Sequence, residues 1–128
     1  MVDKIAIAAC SGMSPNGLVS RVAASDYVLD NEDVIGLCMG LVSGDQINYN
    51  LLIKEYPVLA INGCEGNCVE KILEERGVTP KASISIGDEL ENQPFTPNDV
   101  GRLDEEGEKC VEFIKIRIQE ELDKIFEE

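Results

Sequence analysis

The segment INGCEGNC, residues 61–68, places two cysteines four positions apart where a buried strand is predicted to end. Four residues make about one helical turn, so a helix that begins here carries both sulfur atoms on one face near its N-terminus. The chain has only five cysteines and no histidine. These two thiols are therefore candidates for metal binding, for redox chemistry or for packing, and the surrounding elements must distinguish the three.

Short apolar segments predict the strands that position these cysteines. Residues 4–10, 34–40 and 58–64 are almost wholly apolar and are bounded by Gly, Pro or Asn, which is typical of strands buried on both faces of a parallel sheet. The segment ASISI, residues 82–86, alternates and predicts an edge strand. Helical patterns between the strands complete a β-α-β-α-β-α-β-α order. We expect one α/β domain over residues 1–128, a small four-stranded parallel sheet in the flavodoxin-like order 2-1-3-4 with helices on both faces.

Turn and capping residues set the helix bounds. Ser14-Pro15 fits an N-cap and first helical position, for a helix to about residue 29. A capping box at residues 43–46 opens a second helix that ends before Pro57. A third helix spans about residues 66–76 and ends in Gly77 as a left-handed cap. Thr96-Pro97-Asn98-Asp99 predicts the start of a long acidic C-terminal helix over about residues 97–127. Its apolar positions follow a 3.6-residue period: Val111, Ile114, Ile118, Leu122 and Ile125.

Four cysteines fall at one edge of this predicted sheet. Cys10 closes the first strand, Cys38 lies near the end of the second and Cys64 closes the third, whereas Cys68 follows one turn into the next helix. In the order 2-1-3-4 these three strands are neighbours about 4.8 Å apart, and their carboxyl ends meet at one edge. A tetrahedral four-thiolate site most often holds Zn²⁺. Cys110 lies on the long helix near its apolar stripe and is expected to pack in the core.

Other chemistries remain open for the same thiols. Cys64, Cys68 and Cys10 could act in thiol redox reactions or carry sulfur as a persulfide, and four thiolates also suit an iron–sulfur cluster. A phosphatase-like loop has the pattern Cys-x5-Arg, with an arginine six residues after the cysteine. Here the sixth residue after Cys10 is Asn16, and the first arginine is Arg21. Without the arginine guanidinium group, a phosphate site loses its main charge partner, so this interpretation is disfavoured.

The motifs CSGMSPNG after the first strand, a lone cysteine on the second, and NGCEGNC leading into EKILEERGV together resemble the DGC-domain family. The similarity covers residues 4–90. It implies a zinc-binding role for Cys10, Cys38, Cys64 and Cys68, and it leaves any reaction open. The family is named for an Asp-Gly-Cys motif, and this chain has Asn62 in place of the aspartate. We expect Asn62 beside the ligands rather than among them, together with the loop residues Ser11, Gly12, Ser14 and Gly63.

The net charge argues against some classes of binding partner. There are 25 Asp and Glu against 11 Lys and Arg, a net charge of −14. Residues 88–128 contain 14 acidic and 5 basic residues, a net charge of −9. Such a field repels phosphate, so we expect no nucleic acid and no membrane among the partners. The long helix could serve a protein partner or self-association. No export signal is found before Cys10, and grouped thiols suit a reducing compartment, so we expect a cytosolic protein.

Overall fold

The computed structural model describes residues 4–10, 14–37, 44, 47–63, 67–99 and 102–127. Strands and helices alternate from the first strand to the fourth, as the sequence predicts, and two helices follow the fourth strand. In chain order they are β1 (Ile5–Ala9), α1 (Pro15–Asp30), β2 (Val34–Leu37), α2 (Ile47–Glu55), β3 (Val58–Asn62), α3 (Cys68–Glu75), β4 (Ala82–Ser85), α4 (Ile86–Leu90) and α5 (Glu105–Phe126).

The strands form one parallel sheet in the order β2-β1-β3-β4. The predicted α/β class and strand order are therefore confirmed, and the alternating strand β4 is an edge strand as expected. The two central strands, β1 and β3, are buried along almost their whole length. This burial explains their uninterrupted apolar sequences, because side chains on both faces of a central parallel strand contact helices.

Successive residues of the central strands enter two separate core layers. Ile5 and Ile7 pack on the side of α1 and α5, whereas Ala6, Ala8 and Cys10 pack on the side of α2 and α3. The apolar stripe of α5 faces the first layer, and its predicted positions Val111, Ile114, Ile118, Leu122 and Ile125 are all buried. The stripe is therefore used inside the protein rather than exposed for docking.

Of the N-caps of α1 and α5, one was predicted correctly from the sequence and the other was not. Ser14 caps α1 as predicted, since its hydroxyl oxygen accepts the backbone N–H of Gly17 at 3.0 Å and Pro15 follows it. The predicted start of the last helix near residue 97 is wrong, because α5 begins at Glu105 with Asp104 as its N-cap. The structure also contains α4, a short helix directly after β4 that the sequence pattern does not predict.

Two further predictions concern the connections. Gly77 has a φ of +76°, which agrees with its predicted left-handed position after α3. The predicted capping box at residues 43–46 lies outside the described residues apart from Gly44, although the helix it introduces is present as α2. No helix in the described part of the chain is long and apolar enough to span a membrane.

Candidate functional site

Cys10 lies at the carboxyl end of β1 and contacts the end of β3. Its backbone N–H donates a hydrogen bond to the carbonyl oxygen of Ile61 at 3.0 Å. Its side chain is only 9% exposed and packs in the layer between the sheet and α2 and α3. The thiol is therefore held inside the fold at the edge where ligands bind in open parallel sheets.

Asn62 is the neighbour of Cys10 on the adjacent strand. Ala8 pairs with Ala60 and Ala9 with Ile61, so the same register aligns Cys10 with Asn62. The side chain of Asn62 is 1% exposed, and its Nδ2 donates to Glu70 Oε1 at 3.1 Å. Its Oδ1 is buried without a hydrogen-bond partner among the described residues. A buried polar atom without a partner is uncommon in native proteins.

Cys68 is the first residue of α3 and is exposed. The residue before it, Asn67, has a left-handed backbone with φ 51° and ψ 48°, and it directs the chain from the edge of the sheet into the helix. Glu70 lies in the first turn of α3, where a carboxylate favours the positive end of the helix dipole. The turn that presents the Cys68 thiol therefore also presents the Glu70 carboxylate to Asn62.

Gly63 brings the end of β3 against the start of α1. A Cβ atom at this position would lie 2.8 Å from Gly17 Cα and 3.1 Å from the carbonyl oxygen of Asn16. Real Cβ atoms do not approach backbone atoms to 2.8 Å, so only glycine fits without movement of the helix. The absence of a side chain at Gly63 therefore holds the N-terminus of α1 at the edge of the sheet.

A polar cleft of about 400 Å³ opens beside this contact. It is lined at the ends of β3 and β4 by Asn16, Gly63, Asn67, Ser85, Gly87, Asp88 and Glu91. Its position agrees with the rule that ligands bind outside the carboxyl ends of parallel strands, and its volume is in the range of small-molecule sites.

The structure brings together part of the predicted site. Cys10, Asn62 and Gly63 lie at the carboxyl edge, Ser14 caps the helix that starts there, and Cys68 opens α3. Ser11, Gly12, Cys38 and Cys64 lie outside the described residues. Among the described residues, no group of three or more Cys, Asp or Glu side chains is arranged to hold a metal ion. Two of the four expected ligands are not among those residues, so the four-cysteine site stays a prediction.

Several residues of the site were not predicted from the sequence: Glu70, Asn67 and the cleft residues Ser85, Gly87, Asp88 and Glu91. Glu70 contacts Asn62, and Asn67 lines the cleft and turns the chain. Glu70 follows Cys68 by two positions, so its place in the first turn of a predicted helix was a signal available in the sequence. Its contact with Asn62 joins a strand to a helix and depends on how closely the helix packs.

Cys110 is separate from this edge, as expected. It is 0% exposed and lies in the core layer of α1 and α5. Burial, and to a smaller extent the carboxylates of Glu106 and Asp104, raise the pKa of its thiol to about 11. This thiol therefore stays protonated at neutral pH and acts as an apolar packing group.

Comparison with known proteins supports one family. The DGC domain family model matches residues 6–114 of the chain. No curated protein and no solved structure matches.

Proposed function

The chain belongs to the DGC domain family, and on this basis we propose that it is a cytosolic metal-binding protein that holds Zn²⁺ with four cysteine thiolates. The ligands are Cys10, Cys38, Cys64 and Cys68. The observation that carries the proposal is the position of Cys10, which is buried at the carboxyl end of a central strand and aligned with Asn62 on the strand that leads to Cys64. Strand β1 lies between β2 and β3, the two strands that lead to Cys38 and Cys64.

Chain connectivity supports the remaining ligands. Cys38 follows Leu37, the last described residue of β2, and Cys64 follows Gly63, which contacts the start of α1. Both cysteines therefore follow, in the sequence, strands that pair with β1 on either side. Cys68 opens the helix that follows β3.

The charge and chemistry of the donors fit this ion. Thiolates are soft ligands that select zinc, copper(I) or iron–sulfur clusters over hard cations. Four thiolates with Zn²⁺ give the site a net charge of about −2. Since α1 and α3 each follow a parallel strand, their N-termini lie at this same edge, and the positive ends of their helix dipoles favour the negative charge.

The donor set also indicates the kind of role. A zinc ion with four thiolate ligands has no open coordination position, so it supplies structure or exchangeable metal rather than an activated water. A domain of 128 residues is large enough to bury a core without a metal. A site at the ligand-binding edge of the sheet therefore favours metal sensing or carriage.

Elemental analysis tests the proposal directly. The protein, purified under reducing conditions without chelator, is expected to contain about one equivalent of zinc. Cys64→Ser should lose most of it, because serine stays protonated and is a hard ligand. Cys110→Ser is the matched control and should keep the full content, since Cys110 is buried on the other side of the sheet. A metal content below about a tenth of an equivalent, with the thiols reduced, excludes the proposal.

The alternatives give different results in the same experiment. Brown protein with iron and acid-labile sulfide after anaerobic purification indicates an iron–sulfur cluster. A metal-free protein that forms a selective Cys64–Cys68 or Cys10–Cys64 disulfide under mild oxidant, seen by mass spectrometry, indicates thiol redox chemistry or sulfur transfer.

A further inference from the structure

The Asn62 carboxamide is paired on one side only. Its Nδ2 donates to Glu70 Oε1 at 3.1 Å, and its Oδ1 is buried with no donor among the described residues. A buried acceptor without a partner lowers stability, because the hydrogen bonds it makes to water in the unfolded chain are not replaced. Apolar residues occupy most of the surrounding layer, so this polar side chain needs an explanation in terms of what the site binds.

Glu70 fixes the orientation of the amide. An ionised carboxylate only accepts hydrogen bonds, so it can pair with the NH₂ group of Asn62 and not with its carbonyl oxygen. The carbonyl oxygen is thereby turned away from Glu70. Both residues lie beside the layer that contains Cys10, because Cys10 and Asn62 are aligned on neighbouring strands and Glu70 lies on α3.

A thiolate sulfur does not satisfy this oxygen, since both are hydrogen-bond acceptors. Beside metal-bound thiolates, the partner of Oδ1 is therefore a group outside the described residues that carries an N–H or O–H bond. A water molecule or a small ligand bound beside the cysteines has this chemistry, and the edge of the sheet is where such a group binds.

We infer that Asn62 and Glu70 are a matched pair within the proposed metal site. Glu70 is a positioning residue that holds the amide, and Asn62 keeps its carbonyl oxygen for a hydrogen-bond donor bound next to the cysteine ligands. The pair also explains why this chain has asparagine where the family name calls for aspartate. Two carboxylates in contact inside the protein would repel each other. A neutral amide at position 62 avoids this repulsion and can donate a hydrogen bond to Glu70. This inference rests on the proposed metal site for its role in function.

Metal affinity tests the positioning role. In competition with a chromophoric chelator, Glu70→Ala is expected to weaken zinc binding about 10–100-fold, as is typical when the partner of a metal site is removed. Glu70→Gln should stay within about 3-fold of the wild type, because the glutamine carbonyl still accepts the Asn62 N–H group. Asn62→Ala should weaken binding as much as Glu70→Ala, and the double variant should lose no more than either single one.

Glu74→Ala is the matched control for these variants. Glu74 is an exposed glutamate on the same helix, and its removal should leave zinc affinity unchanged. Wild-type affinity in Glu70→Ala, or an equal loss in Glu70→Gln and Glu70→Ala, overturns the positioning role. The second result would show that charge rather than orientation matters.

The melting temperature of the metal-free protein tests the pairing without any metal. Asn62→Asp is expected to lower Tm by about 5 °C or more, because it places two carboxylates in contact. Asn62→Asp combined with Glu70→Gln should recover most of this loss, since the amide introduced at position 70 can then donate to the new carboxylate. An unchanged Tm in Asn62→Asp, or no recovery in the double variant, contradicts the pair. If the wild type binds no metal, the proposed function fails, but this cycle still decides whether the two residues are matched.

Discussion

Two buried cysteines show how position decides the role of a residue. Cys10 and Cys110 are both nearly inaccessible. Cys10 ends a central strand beside Asn62, whereas Cys110 lies in the core layer that α5 shares with α1. The pKa of the Cys110 thiol is raised to about 11 by its burial and by nearby carboxylates. The same side chain is therefore a candidate ligand in one place and a packing group in the other.

The raised pKa of Cys110 predicts a loss of stability in alkali. Above its ordinary value of 9.0 the thiol ionises in the unfolded chain, whereas in the folded protein it stays protonated up to about 11. The unfolded state then binds fewer protons, so the free energy of unfolding falls as pH rises through this interval. The difference between the two pKa values corresponds to a loss of about 2–3 kcal/mol in the free energy of unfolding.

Cys110→Ser isolates this effect. Serine does not ionise in this range, so the variant should lose less stability between about pH 9 and 11 than the wild type in urea unfolding experiments. At neutral pH it should be less stable by about 1 kcal/mol, because it buries a hydroxyl group. Burial also raises the pKa of Tyr27, with smaller effects from Asp33 and Asp123, and this contribution is common to both proteins. Identical slopes in the two proteins would contradict the assignment to Cys110.

At the scale of elements, the sequence predicts the strands better than the helix starts. Strands β1 and β3 are buried on both faces, so their apolar runs are unmistakable. The predicted cap near residue 97 lies in irregular chain ahead of the helix, where Asn98 Nδ2 donates to the carbonyl oxygen of Thr96 at 3.1 Å. Asn side chains that bond to nearby backbone groups compete with helix formation. The five-residue α4 is too short to show a period.

The same physical limits apply to the candidate site. The strand order predicts that the first and third strands end side by side at the carboxyl edge, and the register aligns Cys10 with Asn62 there. The contact between Asn62 and Glu70 could not be predicted, because it depends on the distance between α3 and the sheet. Sequence patterns specify the direction of an element but not its packing distance.

The start of α5 is testable by removing its cap. Asp104 Oδ1 accepts the backbone N–H of Gly107 at 2.6 Å, so Asp104→Ala should lower the free energy of unfolding by about 0.5–2 kcal/mol. Thr96 belonged to the predicted cap and is exposed outside the helix, so Thr96→Ala should change stability by less than about 0.5 kcal/mol. Urea unfolding measures both. A larger loss in Thr96→Ala would restore the earlier helix start.

The contact between β3 and α1 gives a second prediction for elements. Gly63→Ala places a Cβ 2.8 Å from Gly17 Cα, and neither backbone segment can rotate away as a side chain would. The variant should therefore lose about 1–3 kcal/mol of stability, as overpacked sites do. Gly87→Ala is the matched control at the same cleft, because its Cβ would make only an ordinary 3.7 Å contact with Asn16 Nδ2. Comparable unfolding midpoints for the two variants would show that α1 is not held at Gly63.

For the whole molecule, the dominant electrostatic feature is the excess of negative charge. The net charge is −14, while several of the described basic residues are used in local ion pairs. Arg117 is the most engaged of these, with its Nε 2.8 Å from Glu89 Oε2 and its Nη1 2.8 Å from Glu120 Oε2. These pairs join neighbouring turns and elements, but they leave most of the acidic surface uncompensated.

The salt dependence of stability shows whether repulsion among the acidic residues or attraction within the ion pairs has the larger effect. Raising the salt concentration from 0.01 M to 0.15 M shortens the Debye length from about 30 Å to about 8 Å. For a net charge of −14 on a folded chain with a radius of gyration of about 14 Å, the relief of self-repulsion favours the folded state by on the order of 4 kcal/mol. Exposed ion pairs each stabilise the fold by about 0–1 kcal/mol, and the added salt removes only part of that stabilisation. We therefore expect sodium chloride to stabilise the protein.

A charge-reduced variant tests this explanation. Glu55→Lys with Glu74→Lys changes two exposed glutamates and brings the net charge from −14 to −10, since each substitution adds two positive charges. Self-repulsion varies with the square of the charge, so the gain in unfolding free energy between the two salt concentrations should fall to about half. Glu55→Asp with Glu74→Asp keeps the charge and should keep the full gain. Destabilisation of the wild type by salt would mean that its ion pairs outweigh the repulsion of its acidic surface.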